Sequence, residues 1–334
     1  MKAQVLHQHG TVDDVALDPE FPDPQPGPGQ VQFEVKACAL NYHDIFTMRG
    51  MPGIKVPLPV IMGIDAAGVI TALGEDVEGW SVGDRILVDP INRKTGKLFG
   101  EMENGGLAER AVVADHQLVA LPDAVSFEQG AALPCAYGTA YRMMVSRGRV
   151  SAGEKVLILG ASGGVGTCCV QLAKLAGAHV IAAASTQDKM DRLTAIGADE
   201  VINYTEAPFR DQIWDLHGKP RIAGGGGVDV IVNFTGGDTW VPALRSLSRH
   251  GRMLTCGATA GFDPKTDIRF IWTFEQSIIG SNGWEKEDIV ALLDLVKCGE
   301  LKPVVDMVYG LDETPAAIAA LEGRRAFGKV IVTP

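Results

Sequence analysis

The sequence predicts an α/β protein in which a β-rich module precedes a doubly wound parallel-sheet module. In the first third, short segments alternate apolar and polar residues between Gly, Pro and Asn, which is typical of antiparallel strands. From residue 155 onward, continuously apolar strands alternate with helical segments, and this alternation requires a parallel sheet covered on both faces. The 334 residues, 46% of them hydrophobic, suffice for two globular domains.

The strands of the β-rich module are marked by alternation with a period of two. Residues 30–37 place Val31, Phe33, Val35 and Ala37 on one face. Further strands are predicted at residues 68–73, 85–88 and 108–113, and near Ser126 the pattern changes to helix.

The second module consists of successive strand and helix units. Strands are predicted at residues 155–160, 179–184, 200–204, 228–234 and 252–256, and helices at residues 165–176 and 188–196. A strand-like segment at 276–281, a helix at 286–297 and a strand at 329–332 are expected to return to the first module. The expected domains are therefore residues 1–122 with 271–334, and residues 123–270.

Charge and composition exclude several classes of protein. Thirty Lys and Arg residues stand against 41 Asp and Glu, so the net charge of −11 removes the attraction to phosphate backbones and no nucleic-acid partner is expected. No apolar run has the length of a signal peptide or a membrane span, so we expect a cytoplasmic protein with no membrane partner. The six cysteines lack C-x-x-C spacing, which favours reduced thiols.

A glycine-rich turn lies where the first strand of the second module meets its helix. Its residues are Ala161, Ser162, Gly163, Gly164, Val165 and Gly166. Gly163 lets the backbone approach a pyrophosphate, whose charge is met by the amides and dipole of the helix N-terminus, and Gly166 permits close packing of helix on strand. Although Ala161 replaces the first glycine of the usual G-x-G-x-x-G pattern, the strand-turn-helix context predicts dinucleotide binding.

The end of the next strand predicts which dinucleotide is bound. An NAD site usually carries Asp or Glu about 20 residues after the turn, whereas residues 183–186 are Ala-Ala-Ser-Thr. Ser185 and Lys189 offer a hydroxyl and a positive charge to a 2′-phosphate, so the predicted cofactor is NADP(H). Asp188 is a nearby carboxylate that could argue against NADP(H). Its spacing of three residues from Ser185 predicts that it closes a capping box instead of facing the cofactor.

Nine segments follow one another in an order that identifies a family. They are residues 39–44 (ALNYHD), 62–68 (MGIDAAG), 82–85 (VGDR), 105–109 (GGLAE), 132–135 (ALPC), 139–141 (TAY), the glycine turn, 201–204 (VINY) and 328–330 (GKV). Together they resemble the medium-chain dehydrogenase/reductase superfamily, specifically its zinc-free quinone oxidoreductase branch. The resemblance implies a GroES-like catalytic domain, a Rossmann cofactor domain and a homodimer or homotetramer.

The resemblance also implies that no metal takes part. Zinc alcohol dehydrogenases of this superfamily place Cys, His and Cys or Asp on the catalytic metal, and the matching positions here hold Asn41, Ile64 and Cys135. Ile64 cannot coordinate a metal, and residues 88–105 lack the cysteines that hold structural zinc in those relatives. The alternative is an irregular metal site built from three of Cys38, His43, Asp65 and Cys135.

The missing metal favours reduction of a conjugated acceptor. Reducing an isolated carbonyl concentrates charge on one oxygen, where a Lewis acid helps, whereas a quinone or an α,β-unsaturated carbonyl spreads that charge and hydrogen-bond donors suffice. The predicted catalytic residues are Asn41, which replaces a metal ligand, Tyr42, whose phenol can donate a hydrogen bond, and His43, which can transfer a proton.

Five further cofactor contacts are implied by the resemblance alone. They are Thr139 near the phosphates or nicotinamide, Tyr204 beside the 2′-phosphate, Thr235 and Gly257 after the fourth and fifth strands, and Lys329 in the closing Gly-Lys pair.

Other functions stay open at this point. One is an alcohol dehydrogenase or carbonyl reductase with a nonstandard or absent metal. Another is an enoyl-CoA reductase, which needs a basic entrance for the CoA phosphates, and no Lys/Arg cluster is visible in the sequence. A third is an NADPH-binding sensor without turnover, because fold does not dictate function.

Overall fold

The computed structural model describes residues 1–51 and 53–334 and divides the chain into two compact units. Unit 1 contains Met1–Tyr137 and Ile289–Pro334, and unit 2 contains Gly138–Asp288.

Unit 1 is built mainly from antiparallel strands. The strands are β1 (Ala3–Leu6), β2 (Val15–Asp18), β3 (Gln30–Leu40), β4 (Val60–Ile61), β5 (Asp65–Leu73), β6 (Arg85–Val88), β7 (Ile91–Asn92), β8 (Lys97–Leu98), β9 (Arg110–Ala114), β10 (Leu118–Ala120), β17 (Val305–Gly310) and β18 (Lys329–Thr333). One sheet has the order β2-β1-β4. A seven-stranded sheet has the order β10-β6-β5-β3-β18-β17, with β9 also paired to β3. β17 and β18 run parallel, unlike the other pairs of this sheet.

The last residues of β3 lie in the core of unit 1. Val31, Phe33 and Val35 are buried as the alternation predicts, but the last residues of β3, Cys38 to Leu40, are buried on both faces. At that end β3 is paired with β5 on one side and with β18 on the other, so both of its backbone edges are hydrogen-bonded as well. The chain therefore enters the helix α1 (Tyr42–Arg49) from the protein interior.

Unit 2 is a parallel sheet with helices between its strands. The strands are β11 (Lys155–Ile158), β12 (His179–Ala184), β13 (Glu200–Asn203), β14 (Val228–Val232), β15 (Leu247–Thr255) and β16 (Ser277–Gly280). The helices are α3 (Gly138–Tyr141), α4 (Gly164–Leu175), α5 (Gln187–Ala195), α6 (Phe209–His217), α7 (Trp240–Ser246) and α8 (Ile268–Thr273). The strand order is β13-β12-β11-β14-β15-β16, so the crossover direction reverses at β11. The predicted fold class is confirmed.

Three other α-helices lie in the described part of the chain. They are α2 (Phe127–Ala131) and α10 (Thr314–Glu322) in unit 1, and α9 (Lys286–Lys297), which contains the second boundary between the units. No helix of the described residues is long and apolar enough to cross a membrane.

The unit boundaries lie later in the chain than the expected residues 122/123 and 270/271. The helix α2 follows a cap at Ser126 and packs on β3 and β5, and Gly130 lies against Leu121 and Ala67, so residues 123–137 stay with unit 1. The expectation that 276–281 returns to the first module is wrong, because β16 pairs with β15 from Arg252↔Ser277 onward and extends the parallel sheet of unit 2.

We expect β16 to pair subunits, since it ends the strand order and has no strand on its outer side in the described part of the chain. Ile278 on β16 is 39% exposed. Ile278→Lys should shift the protein to monomers in light scattering, because a charge opposes pairing at a strand edge. Val308→Lys is the matched control, since Val308 is 55% exposed and lies on β17, which ends the seven-stranded sheet of unit 1. An unchanged mass for Ile278→Lys contradicts pairing through β16.

Candidate active site and nucleotide-binding edge

The glycine turn joins β11 to α4 in a conformation that only small residues permit. Gly160 has φ +68°, and Gly163 precedes α4 without a side chain that caps the helix. A Cβ at Gly166 would lie 2.3 Å from the Gly160 carbonyl oxygen, so the helix packs directly on the turn. A Cβ at Gly163 would meet that same oxygen at 3.7 Å and nothing closer. The turn therefore leaves open space at the helix N-terminus, where the residues fit a pyrophosphate.

The predicted nucleotide contacts of unit 2 follow the carboxyl ends of successive parallel strands. Ser185 follows β12, Tyr204 follows β13, Thr235 lies beyond β14 and Gly257 lies beyond β15. The Tyr204 amide donates to the Ala184 carbonyl at 3.2 Å, which places Tyr204 beside the end of β12. The Thr235 hydroxyl lies 3.8 Å from the Cβ position of Gly160. The fold thus gathers these residues and the turn 161–166 at one sheet edge, whereas Thr139 lies partly exposed on α3.

The predicted capping box at Ser185 is wrong by one residue. Thr186 caps α5 instead, and its hydroxyl accepts from the Lys189 amide at 3.4 Å. Ser185 is partly exposed, and its hydroxyl makes no hydrogen bond with any residue that the structure describes. Asp188 is exposed in the first turn of α5. The Ser185 hydroxyl is consequently available to a ligand.

A buried polar network lies where β3 ends in unit 1. The Lys329 ammonium, on a side chain 2% exposed, donates to the Leu40 carbonyl at 3.0 Å, to Asn41 Oδ1 at 2.5 Å and to Asp65 Oδ2 at 3.5 Å. These three acceptors match the three hydrogens of an ammonium group. Lys329 was expected among the cofactor contacts, but the structure places its charge in this network of unit 1.

Asn41 has a different part in this network from the expected one. Its side-chain Nδ2 donates to the Ala39 carbonyl at 3.1 Å and to Asp65 Oδ2 at 2.9 Å, while its oxygen accepts from Lys329. Both amide hydrogens are therefore used inside the protein, and neither is left for a substrate carbonyl. The geometry makes Asn41 a residue that positions its neighbours.

Two buried carboxyl groups complete the network. Asp65 Oδ1 accepts from the Cys135 amide at 3.0 Å, and burial raises the pKa of Asp65 against the opposing effects of Lys329 and Asn41. Asp44 accepts from the backbone N–H of Asn41 at 2.7 Å and closes a capping box on α1. Burial raises the pKa of Asp44 to about 6, although the hydrogen bond from the Asn41 backbone acts to lower it.

The residues that match the catalytic zinc ligands of the superfamily do not fit a zinc ion. Asn41 gives its oxygen to an ammonium group, Ile64 is buried and apolar, and Cys135 alone has a ligand atom. A tetrahedral site needs at least three protein ligands. Cys38, His43, Asp65 and Cys135 do not bring three ligand atoms within 4.8 Å of one another in the described residues, so the geometry gives the irregular site no support.

His43 is held by a residue that the sequence analysis missed. Its Nε2 lies 2.6 Å from Glu101 Oε2, which also accepts from the Thr47 hydroxyl at 3.3 Å. Burial acts to lower the pKa of His43, but the hydrogen bond and charge of Glu101 outweigh it and raise the pKa above its usual value. Because Glu101 lies 58 residues away with no motif around it, only the folded chain reveals the pair.

Among the three predicted catalytic residues, Tyr42 has a hydroxyl group that is free to donate a hydrogen bond. Its ring packs edge-on against Phe46 with centroids 5.4 Å apart, and the side chain is partly exposed. Within residues 1–51 and 53–334 its hydroxyl has no hydrogen-bond partner. Of the segment 41–43, the phenol of Tyr42 is thus the group best able to donate to a ligand.

The β-rich unit, the doubly wound unit and the glycine turn define a class of nicotinamide-dependent oxidoreductases. Two family models match: "Alcohol dehydrogenase GroES-like domain" over residues 27–123 and "Zinc-binding dehydrogenase" over residues 164–297.

Comparison with single proteins narrows this class. The chain is 31% identical over 341 residues to quinone oxidoreductase of Homo sapiens, covering 99% of this chain and 97% of that protein. It is 29% identical over 365 residues to crotonyl-CoA reductase of Streptomyces avermitilis, covering 93% and 80%. A solved NAD-dependent alcohol dehydrogenase has a TM-score of 0.92 and 33% identity, with 100% of both chains covered. The chain belongs to the medium-chain dehydrogenase/reductase superfamily and is quinone oxidoreductase-like.

The two glycines of the turn should respond differently to alanine. In Gly166→Ala, the new Cβ lies 2.3 Å from the Gly160 oxygen and 2.6 Å from Ala161 Cα, both backbone atoms, so we expect a loss of about 1–3 kcal/mol in unfolding free energy. Gly163→Ala should unfold like the wild type in urea but bind nicotinamide dinucleotide more weakly, because its Cβ enters the open space. Equal stability of the two variants would show that the packing is misassigned.

Proposed function

We propose that this protein is an NADPH-dependent reductase of quinones or α,β-unsaturated carbonyl compounds that works without catalytic zinc. One observation carries the proposal: the Lys329 ammonium is bonded to Asn41 and Asp65 beside the positions that would hold the metal. The ammonium group thus engages Asn41 Oδ1 and Asp65 Oδ2, the oxygen atoms that a metal ion at this point would need as ligands. A conjugated acceptor suits such a site, because its reduction spreads charge that hydrogen-bond donors can stabilise.

The choice of NADPH rests on the end of β12. Ala184 is buried, and the partly exposed residues that follow it include Ser185 and Lys189 but no carboxylate at the position expected to contact the ribose. A hydroxyl donor and a lysine charge favour a 2′-phosphate, which an Asp or Glu there would repel. Tyr204, 49% exposed beside the end of β12, offers an aromatic face to the adenosine.

NADPH, when bound, would supply the hydride, and the side chains of unit 1 would hold the acceptor and provide the proton. The Tyr42 hydroxyl would donate to the carbonyl oxygen of the substrate as negative charge develops on it. His43, whose pKa is raised by Glu101, keeps its proton to higher pH than a free imidazole and would pass it through solvent to the anion that remains after hydride transfer. Asn41, Asp65 and Lys329 fix the start of α1 and so the position of Tyr42.

Two alternative substrate classes have support from relatives and neighbours. The crotonyl-CoA reductase relative favours an enoyl-CoA thioester, and the NAD-dependent alcohol dehydrogenase favours an isolated alcohol or carbonyl. Three arginines, Arg147, Arg149 and Arg252, line a cavity of about 410 Å³ in unit 2. Arg252 is engaged by Glu154 and by the carbonyl oxygens of Gly148 and Arg149, so it offers little to CoA phosphates. Quinones and enones stay our preferred substrates.

The decisive experiment measures NADPH oxidation with a quinone, an enone, a saturated ketone, a saturated aldehyde and an enoyl-CoA. We expect turnover of the quinone or enone that survives prior dialysis against a chelator. Turnover limited to the saturated carbonyls, or abolished by the chelator, would overturn the proposal. Tight NADPH binding without turnover of any compound would favour a sensor.

Tyr42→Phe tests the hydroxyl donor while keeping the ring against Phe46. We expect kcat to fall roughly 10²-fold, as for loss of one donor to a developing oxyanion, with unchanged Kd for NADPH. Tyr309→Phe is the control. It also deletes a tyrosine hydroxyl of unit 1, but that hydroxyl is bonded to the sulfur of Met307. Wild-type kcat in Tyr42→Phe would remove the phenol from the mechanism.

Substitution of Ser185 tests cofactor choice. The wild type should prefer NADPH over NADH by at least about tenfold in kcat/KM. Ser185→Asp should reverse this preference, because a carboxylate repels the 2′-phosphate and accepts from a free ribose hydroxyl. Ser185→Asn is nearly isosteric with that variant but uncharged, so it should keep much of the NADPH preference. Identical NADPH/NADH ratios in both variants would mean that residue 185 does not face the ribose.

A further inference from the structure

A cluster of two histidines and a glutamate lies at the amino edge of the parallel sheet in unit 2. His179 is the first residue of β12, Glu200 is the first residue of β13, and His217 is the last residue of α6. The glycine turn follows the opposite, carboxyl end of β11. A strand the length of β12 spans about 17 Å, so the cluster is well separated from the nucleotide-binding edge.

The potential ligand atoms of the cluster converge on one point. His179 Nε2 lies 2.6 Å from Glu200 Oε1, and His217 Nε2 lies 3.1 Å from Glu200 Oε2. The three ligand atoms all lie within 4.8 Å of one another, and no other group of His, Cys, Asp and Glu in the described residues meets this condition. Ligands of a tetrahedral zinc ion, bound at about 2.0–2.1 Å, lie roughly 3.4 Å apart. Outward shifts of less than about 1 Å would therefore admit an ion.

The surroundings favour a cation at this point. Asp199 Oδ2 lies 4.0 Å from Nδ1 of His179, on the side away from Glu200, and adds negative charge near the imidazole without a hydrogen bond to it. His217 ends α6, and the C-terminus of a helix carries partial negative charge. Two positive groups act in the other direction: Lys174 on α4 is paired with Asp199, and the charge of Lys155 on β11 acts on His217.

We propose that His179, Glu200 and His217 form a zinc-binding site that fastens β12, β13 and α6 together. Two imidazole nitrogens and one carboxylate oxygen supply three protein ligands, and water completes the coordination. The site takes no part in hydride transfer, since the ion lies at the edge opposite the nucleotide. Its effect is on the stability of unit 2, because an ion bound only by the folded state stabilises that state.

The test uses Zn²⁺ alone, added at pH 7.5 to the full-length chain after removal of metals, in competition with a chromophoric chelator. We expect one zinc per chain and a higher unfolding temperature with zinc. Glu200→Gln, which preserves side-chain size, and His179→Gln should each weaken zinc binding at least tenfold and abolish the rise in unfolding temperature. His250→Gln is the control, since His250 is an exposed histidine of the same unit, outside the cluster and paired with Glu275.

Cobalt substitution distinguishes this site from the thiols, of which Cys298 is exposed. Co²⁺ bound by the cluster should give visible bands of a nitrogen and oxygen ligand set without sulfur-to-cobalt charge-transfer absorption in the near ultraviolet. That spectrum is recorded on the wild type, so it does not depend on folding of the variants. Thiolate absorption, wild-type zinc affinity in Glu200→Gln, or absence of zinc binding at 100-fold molar excess over protein would overturn the proposal.

Discussion

The buried ammonium group of Lys329 is the constraint on which the chemistry of unit 1 depends. A charge removed from water is tolerated only with an opposite charge and a full set of hydrogen bonds. Asp65 supplies the charge, and Leu40, Asn41 and Asp65 supply the three acceptors. Because these residues come from β3, β5 and β18 and from the residue that precedes α1, the network fixes the start of that helix and the side chains of Tyr42 and His43 that follow.

Under the function that we propose, the same network takes the place of a metal in a member of a dehydrogenase superfamily. In zinc-dependent relatives a divalent ion polarises the reacting oxygen, and in this chain the matching positions hold an amide, an aliphatic side chain and one thiol. The positive charge here belongs to Lys329, whose hydrogens are all engaged within the protein. In the proposed mechanism, polarisation of the substrate rests on neutral donors such as the Tyr42 phenol, which suffice for an acceptor that delocalises its charge.

The parallel sheet of unit 2 presents two edges with opposite chemistry. At the carboxyl ends of the strands, the glycine turn, Ser185, Thr235 and Gly257 leave backbone amides and small side chains open to an anionic nucleotide. At the amino ends, His179 and Glu200 begin neighbouring strands, and the α6 helix brings His217 against them. One topology thereby separates an anion-binding edge from the cation-binding cluster that we propose.

The sequence by itself determined the fold class and the order of strands and helices around the glycine turn, because apolar periodicity and glycine spacing are local signals. The superfamily followed from the resemblance that the nine ordered segments carry. The sequence also located Ser185 at the end of a strand. It misplaced the unit boundaries, assigned 276–281 to the wrong unit and placed the α5 cap one residue early, since packing and pairing partners decide those features. Only the tertiary structure brought Lys329 to Asn41, Glu101 to His43 and His217 to Glu200. These pairs join residues 17 to 288 positions apart, and no local pattern encodes which distant side chain satisfies a buried polar group.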